Sequence, residues 1–531
     1  MQLKLEHCLL YAVTDTSWLR GRTLARQVEE ALRGGATMVQ LREKKLTGDA
    51  LEQEAREILA LCRRYDVPLL INDDVLLAKK IGADGVHVGQ SDMAAAQARS
   101  ILGPDAIIGV TARTVEQARA AEAAGADYLG SGAVFGTSTK KDAKPLDPAC
   151  FQEICESVSI PVTAIGGITL ENIRQLKGRG MRGFAIVSGI FAADDIEAQT
   201  GKLWKAAQSL CVNDDENVSG LFMNRIRTAR PVVQCITNIV TVNDCANALL
   251  AVGASPTMAH HPREMEDFAR VTDALVCNMG ATESLEAMLL AAPEAAKRGH
   301  PVVIDPVGCA ASAFRREKVL ELVDALHAAS AAGSSGTGCR DDACSSDTGC
   351  TDGTCSSDAG CTDAACSSGG CTEGTPGGRG TSLCIRGNAA EIRALVEHHN
   401  TGRGVDDFHD LPETGEDPDV DPIRYAVRLA RDTGAIVVQS GETDYITDGR
   451  RLYTVHGGSA WMARVTGTGC MLSSLLGAFL CVENSALAAA ACCRFMNACA
   501  EQAAAAAARE GGGSGTFHIR LLDALSGPVG L

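Results

Sequence analysis

Residues 68–92 read PLLINDDVLLAKKIGADGVHVGQSD, and this stretch decides the fold of the N-terminal half. An apolar run, Pro68–Asn72, ends in the polar pair Asn72 and Asp73. A helical stretch follows, and a second apolar run, Gly85–Val88, leads into Gln90 and Asp92. Working outward, the same unit recurs. Further strand candidates are Leu9–Thr14, Thr37–Arg42, Ile107–Thr111, Tyr128–Gly132, Val162–Ile165 and Phe184–Val187, which makes eight. Helical stretches such as Thr23–Arg33, Gly48–Tyr65 and Thr114–Ala124 lie between them. Strands alternating with helices imply a parallel sheet. Eight such units in roughly 200 residues predict a (β/α)8 TIM barrel. An open doubly wound sheet is the competing reading, but it rarely needs eight units.

A barrel of this kind builds its active site at the C-terminal ends of its strands. Polar residues cluster there: Gln40, Arg42 and Lys44 after the second strand, Asn72 and Asp73 after the third, and Gln90 and Asp92 after the fourth. Thr111 ends the fifth, Thr137, Thr139 and Lys140 follow the sixth, Gly166 and Gly167 the seventh, and Ser188 and Gly189 the eighth. The set suits a departing pyrophosphate. Magnesium takes one or two carboxylates plus phosphate oxygens, which fits Asp73 and Asp92. Arg42, Lys44 and Lys140 add positive charge, and the glycines let backbone amides approach a phosphate. A lone Asp after a strand is usually a helix cap. The coincidence on one barrel face makes that explanation poor for the whole set.

The rest of the chain is organised differently. Cys211–Val218 is polar and acidic and reads as a linker, set at 211–224, between a first domain (1–210) and a second (225–531). The second region alternates strands (Val302–Asp305, Leu383–Arg386, Ala435–Gln439) with helices, without the eightfold repeat, and reads as an α/β layer fold. It is interrupted at 333–380 by Gly, Ser, Thr, Asp and Cys, a composition that cannot bury a core and predicts a disordered insertion. Seven of the 22 cysteines lie there, from Cys339 to Cys371. With no C-x-x-C pair and spacings of five and six, they read as a repeat-expanded loop rather than a soft-metal site.

Composition narrows the function classes. A net charge of −17 disfavours general nucleic-acid binding. No run of 18 apolar residues occurs, so no membrane span is expected. Met1–Leu10 lacks the apolar core of a signal peptide. These features predict a cytoplasmic protein with reduced thiols.

Motifs then add a resemblance. QLREK (Gln40–Lys44), IND (Ile71–Asp73), GVHVGQSD (Gly85–Asp92), TSTK (Thr137–Lys140), AIGGI (Ala164–Ile168) and VSGI (Val187–Ile190) occur in order. Together they resemble thiamine-phosphate synthase, a family that joins an aminopyrimidine methyl diphosphate to a thiazole phosphate and releases pyrophosphate. The resemblance implies that Asp73 and Asp92 hold magnesium. It implies that Gln40, Leu41, Arg42, Glu43, Lys44, Asn72, Thr111 and Lys140 hold the pyrimidine diphosphate, with Lys140 catalytic. Thr137, Ser138, Thr139, Gly167, Val187 and Ser188 would hold the thiazole phosphate. Ser138 or Lys141 stands where many relatives have proline, which bears on the loop alone.

In the second domain the clearest motif is VTGTGC, Val465–Cys470. A Gly-rich turn opening a helix offers amide hydrogens to a phosphoryl group. A thiol there is expected to have a lowered pKa and to serve as a base or orienting group. Taken alone, the turn reads first as a buried cysteine in a helix cap. With TNIVTVNDCANALLAVGASPTM (Thr237–Met258), DPVG (Asp305–Gly308), IRGNAAEI (Ile385–Ile392) and SGETDYITDG (Ser440–Gly449), the domain resembles hydroxyethylthiazole kinase, of ribokinase-like fold. That resemblance places Met258 and Gly467 on the thiazole, Arg386 and Ser440 on ATP, and Asn388 and Glu391 near magnesium. Cys470 takes the position of the catalytic Asp of many sugar kinases. Ser440 replaces the usual Thr, and Cys309-Ala310-Ala311 replaces Ala-Gly-Ala. His260-His261 reads equally as pocket lining or as a surface turn.

The sequence thus predicts a bifunctional thiamine-biosynthetic enzyme with magnesium and ATP, small-molecule substrates, and no nucleic-acid or membrane partner. By analogy it is a homo-oligomer, a trimer through the kinase half. Two alternatives compete: a chain in which the synthase half alone is active, and a non-catalytic module that binds thiamine precursors.

Overall fold

The computed structural model describes residues 2–136, 145–213, 216–334, 383–398 and 423–527. The N-terminal half is a closed barrel of eight parallel strands: β1 Leu10–Val13, β2 Met38–Leu41, β3 Leu69–Asn72, β4 Gly85–Val88, β5 Ile107–Thr111, β6 Tyr128–Gly132, β7 Val162–Ile165 and β8 Gly183–Ile186. Strand β8 returns to β1, with Tyr11 opposite Ala185, and the open-sheet alternative falls away. Each predicted strand is present, with ends displaced by at most a residue or two. The helix-forming stretches follow suit at Leu24–Arg33, Gly48–Arg64 and Val115–Ala123. Thr23 and Thr114 cap two of them by accepting the amides of Arg26 and Gln117. After β7 the repeat weakens to one short 3-10 turn, Ile173–Leu176. Gly178 and Gly180, both at positive φ, follow it closely. Residues free to turn there stop a helix from propagating.

Two apolar layers define the barrel. Outward-facing Val39, Leu41, Leu69 and Ile71 pack against the helices. Inward-facing Tyr11, Val13, Met38, Leu70 and Tyr128 fill the lumen. Leu41 therefore belongs to the helix-facing layer.

The second half is one eight-stranded sheet: β9 Val232–Ile236, β10 Ser255–Thr257, β11 Ala274–Asn278, β12 Val302–Asp305, β13 Leu383–Asn388, β14 Ile436–Ser440, β15 Thr443–Thr447 and β16 Leu452–His456. The order is β10-β9-β11-β12-β13-β14-β15-β16, parallel up to β14 and antiparallel at the β15–β16 edge. The mainly parallel layer read from the sequence is present. The insertion at 333–380 falls almost wholly outside the described residues, apart from the end of helix Ala313–Ser334.

The halves are packed together. The segment read as a polar linker carries a π turn (Ser209–Asn213) and the start of helix Glu216–Ala229. Cys211, Val212, Phe222 and Met223 on it are buried. Arg451 pairs with Glu6 at 2.9 Å, both nearly inaccessible. The Leu5 amide donates to Glu483 at 3.0 Å, and Trp204 meets Tyr453 edge-on at 5.5 Å between centroids. Glu6 precedes β1, so it lies at the N-terminal end of the barrel. Asp448 and Arg451 follow β15, at the end of the second sheet away from the C-terminus of β14. The domains are therefore joined floor to floor.

Candidate active sites

At the barrel mouth, Asp73 and Asp92 come within hydrogen-bonding reach of each other from β3 and β4. Asp73 sits at φ +64, a conformation that Asp tolerates better than most residues. Asn72 Nδ2 donates to its Oδ2 at 2.5 Å. Asp92 Oδ2 accepts the Gly89 amide at 2.8 Å, and a Cβ on Gly89 would lie 2.8 Å from that same oxygen. Burial, followed by the adjacent Asp92, pushes the Asp73 carboxyl up to about 6, and Arg42 opposes the shift. Two carboxylates facing each other are short of positive charge, and an oxygen-only pair suits a hard divalent cation.

The QLREK segment divides in role. Gln40 is buried and points into the lumen. The Arg42 amide donates to Thr14 Oγ1, and its guanidinium approaches Asp15 at 3.5 Å. Glu43 accepts the amides of Lys44, Lys45 and Leu46, so it shapes the turn. Lys44 is exposed. Gly167, at φ +68, lies so close to the β6 loop that a Cβ would stand 2.3 Å from Gly136 O. Val187 and Ser188 open the short helix Ser188–Phe191. Thr137, Ser138, Thr139, Lys140 and Lys141 lie outside the described residues.

Three residues in the lumen escaped the sequence reading. Gln40 Nε2 donates to Tyr11 Oη at 2.5 Å, and the Tyr11 and Tyr128 hydroxyls are 2.9 Å apart. His87 Nδ1 lies 2.8 Å from Tyr128 Oη, and its Nε2 lies 3.0 Å from Thr111 Oγ1. Burial pushes His87 down to about 4, so the ring is neutral. The available signal was the inward register of β1, β4 and β6, which points polar atoms into a closed space.

In the second domain the site forms where β11, β12, β13 and β14 end against the helix Thr468–Val482. Gly467 caps this helix at φ +86, where a Cβ would meet Thr241 at 2.8 Å. Asp305 ends β12 fully buried. Its Oδ2 receives Ser473 Oγ at 2.8 Å and Asn278 Nδ2 at 3.1 Å, with Arg386 Nη1 at 3.8 Å. Arg386 Nη2 donates to Ser440 Oγ at 2.8 Å, so the hydroxyl that replaces Thr is used. A Cβ on Gly469 would stand 2.6 Å from Arg386 Nη1, so a larger residue here would push this cation away from the helix start.

The pKa expected for Cys470 is overturned. Its thiol lies at the helix N-terminus as predicted, 3.2 Å from Asn278 Nδ2, yet burial and then Asp305 raise it above the ordinary thiol range. Desolvation outweighs the helix dipole here. Glu391 accepts the amides of Gly308 and Asn388, each at 2.9 Å, and its own amide donates to Asn388 Oδ1. It ties the Asp305–Gly308 loop to the turn after β13. Cys309, one of the departures, adds a 3.5 Å thiol contact to Glu391 O. Met258 is half-buried after β10. His260 bonds back to Met258 O, and His261 accepts the Arg263 amide, so both serve the turn. Asp305, Asn278 and Ser473 come together only in the fold; in the sequence Asp305 stands out through the DPVG motif alone.

Comparison with known proteins agrees with both halves. The profile of the thiamine monophosphate synthase family matches residues 10–190, and that of the hydroxyethylthiazole kinase family matches 223–337 and 379–527. A probable thiamine biosynthetic bifunctional enzyme of Schizosaccharomyces pombe is 31% identical over 90% of this chain and 86% of its own. A thiamine-phosphate synthase of Ruminiclostridium cellulolyticum is 48% identical over 38% of this chain and 96% of its own. A solved hydroxyethylthiazole kinase from Pyrococcus horikoshii is 28% identical, covering 59% of this chain and 93% of its own, with a TM-score of 0.42. The chain belongs to the bifunctional thiamine-biosynthetic enzymes, in which a thiamine monophosphate synthase barrel is fused to a domain of the hydroxyethylthiazole kinase family.

Proposed function

We propose that the two halves act in sequence on one precursor. The kinase half transfers the γ-phosphoryl group of ATP to hydroxyethylthiazole. The barrel then joins the thiazole phosphate to hydroxymethylpyrimidine diphosphate, giving thiamine phosphate and pyrophosphate. The observation that carries the barrel reading is the facing pair Asp73 and Asp92 at adjacent strand ends. These two would hold magnesium, which supplies charge neutralisation to the leaving diphosphate.

Arg42, Lys44 and Lys140 take up the remaining negative charge as the methylene C–O bond breaks and its electron pair leaves with pyrophosphate. Gln40 and Thr111, with Asn72, orient the pyrimidine. Leu41 and Glu43 contribute backbone only, since their side chains serve the core and the turn. Thr137, Ser138, Thr139, Gly167, Val187 and Ser188 hold the thiazole phosphate, whose ring nitrogen gives its lone pair to the methylene carbon. No protein nucleophile is needed.

In the kinase half, Met258 and Gly467 border the thiazole, and Arg386 and Ser440 hold ATP. Asn388 and Glu391, where β13 leads into helix Ala389–His398, would place magnesium. Phosphoryl transfer through a loose transition state depends on positioning and charge more than on a base. A protonated Cys470 thiol, held by Asn278, fits a role in orienting the substrate hydroxyl. The chain acts in the cytoplasm, where its described cysteines stay free. It assembles as a trimer through the kinase half, where Ile239 and Val240 stand exposed beside Asn238 and Thr241.

The test is a product assay with hydroxyethylthiazole, ATP, magnesium and the pyrimidine diphosphate. Thiamine phosphate with pyrophosphate release supports both roles. Product that forms only when thiazole phosphate replaces the alcohol and ATP, with the pyrimidine diphosphate still present, would reduce the proposal to the barrel. Light scattering that gives a monomer would end the trimer reading.

A further inference from the structure

The lumen of the barrel holds a polar chain whose three middle members have no part in the reaction described so far. It runs Gln40, Tyr11, Tyr128, His87, Thr111, through gaps of 2.5, 2.9, 2.8 and 3.0 Å. Tyr11 and Tyr128 are 1% and 0% exposed, so their hydroxyls have no recourse to bulk water. Space has been cleared for them. A Cβ on Gly109 of β5 would stand 2.3 Å from Tyr128 Oη, and one on Gly130 of β6 would stand 3.0 Å from His87 Cε1. An apolar lumen filled by branched side chains is the ordinary solution for a small barrel. Two phenols and an imidazole, each needing a partner, are a more demanding one.

The two ends of the chain are the informative part. Gln40 and Thr111 both lie at strand ends on the mouth side, and both belong to the set that binds the pyrimidine diphosphate under Proposed function, on which this inference rests. An amide can turn by 180° about its last torsion, and a hydroxyl can rotate freely. Bonding Gln40 Nε2 to Tyr11 removes the first freedom, and bonding Thr111 Oγ1 to His87 restricts the second.

We infer that Tyr11, Tyr128 and His87 are positioning residues of the synthase reaction: a buried hydroxyl–imidazole relay that fixes the Gln40 amide and the Thr111 hydroxyl for the pyrimidine.

The test is a double-mutant cycle in the full chain, with the kinase half as an internal control of folding. Loss of one positioning hydrogen bond in Tyr128→Phe raises KM for the pyrimidine diphosphate about tenfold. KM for thiazole phosphate and the kinase rate stay within about twofold, since neither uses the relay. In a Gln40→Ala background the same Tyr128→Phe change costs clearly less than in the wild type, because one of the two groups it orients is gone and the Thr111 arm alone remains. Calorimetric titration of the pyrimidine diphosphate should follow the same pattern. His87→Gln, which keeps a donor and an acceptor, restores part of the affinity lost in His87→Leu. Effects of Tyr128→Phe and Gln40→Ala that simply add would overturn the relay, as would equal rises in KM for both substrates. A wild-type chain that fails to bind the pyrimidine diphosphate would overturn the underlying reading and the relay together.

Discussion

Asn278 Nδ2 stands 3.2 Å from Cys470 Sγ and 3.1 Å from Asp305 Oδ2. One amide thus joins a thiol 192 residues further along the chain to a buried carboxylate. The arrangement orients a neutral thiol and gives it no base to ionise it. Cys470→Ala should therefore lower kinase kcat/KM modestly, by about tenfold, for lost positioning. The alkaline side of the pH profile should keep its shape. An ionisation near about 8.5 in the wild type that disappears in the variant would mark a working thiolate instead.

Asp73 gives a pH prediction for the other half. Its carboxyl is raised to about 6 by burial and by Asp92, so the metal-free site gains a proton as pH falls through about 6. Magnesium favours the charged form. Synthase activity should fall on the acid side near that value, and more magnesium should move the fall to lower pH. Asp73→Asn should abolish magnesium-dependent synthesis yet raise the thermal midpoint of the metal-free chain, because a like-charge contact is removed. The kinase rate serves as control. A midpoint that drops in Asp73→Asn would contradict the argument.

The floor contact is sensitive to one substitution. Arg451→Met leaves Glu6 buried without its partner, at a cost of about 3–5 kcal/mol. Adding Glu6→Gln should recover much of this. Both activities should decline together on heating Arg451→Met, because one apolar core runs through both halves. Calorimetry showing two separate transitions, with one unchanged, would argue against that continuity.

Floor-to-floor docking also bears on transfer between sites. Helix Thr468–Val482 runs from the kinase site to Glu483 at the interface, and Cys470 lies about 20 Å from that end at 1.5 Å per residue. The barrel mouth lies beyond, facing away. Thiazole phosphate made by the kinase should therefore mix with the bulk pool. Labelled hydroxyethylthiazole supplied with excess unlabelled thiazole phosphate should give thiamine phosphate diluted to the label of the pool. Retained label would show a protected route.

Much of this was legible in the sequence, for identifiable reasons. Parallel strands buried on both faces are near-continuous apolar runs, and Pro68–Asn72 and Gly85–Val88 stand out as such. Asp73 and Asp92 were visible because strand ends are where polar residues interrupt that pattern. Tyr11, His87 and Tyr128 were not, since an inward-facing residue inside a strand looks like core until its neighbours across the lumen are known. Asp305, Asn278 and Ser473 converge from positions as far as 195 residues apart, which no local pattern records. The Cys470 pKa was misjudged because a helix start is readable and its desolvation is not. The packed helix Glu216–Ala229 was hidden by the acidic run before it, which masked the apolar face carrying Phe222 and Met223.

The shared floor also sorts inherited lesions. A substitution at either mouth is separable: it removes one reaction, and a second chain lacking the other can complement it. A substitution among Glu6, Arg451, Glu483 or Trp204 is pleiotropic, because both catalysts rest on those contacts. Alleles of this chain should then fall into two complementing groups and a third that complements neither, and the third should map to the floor.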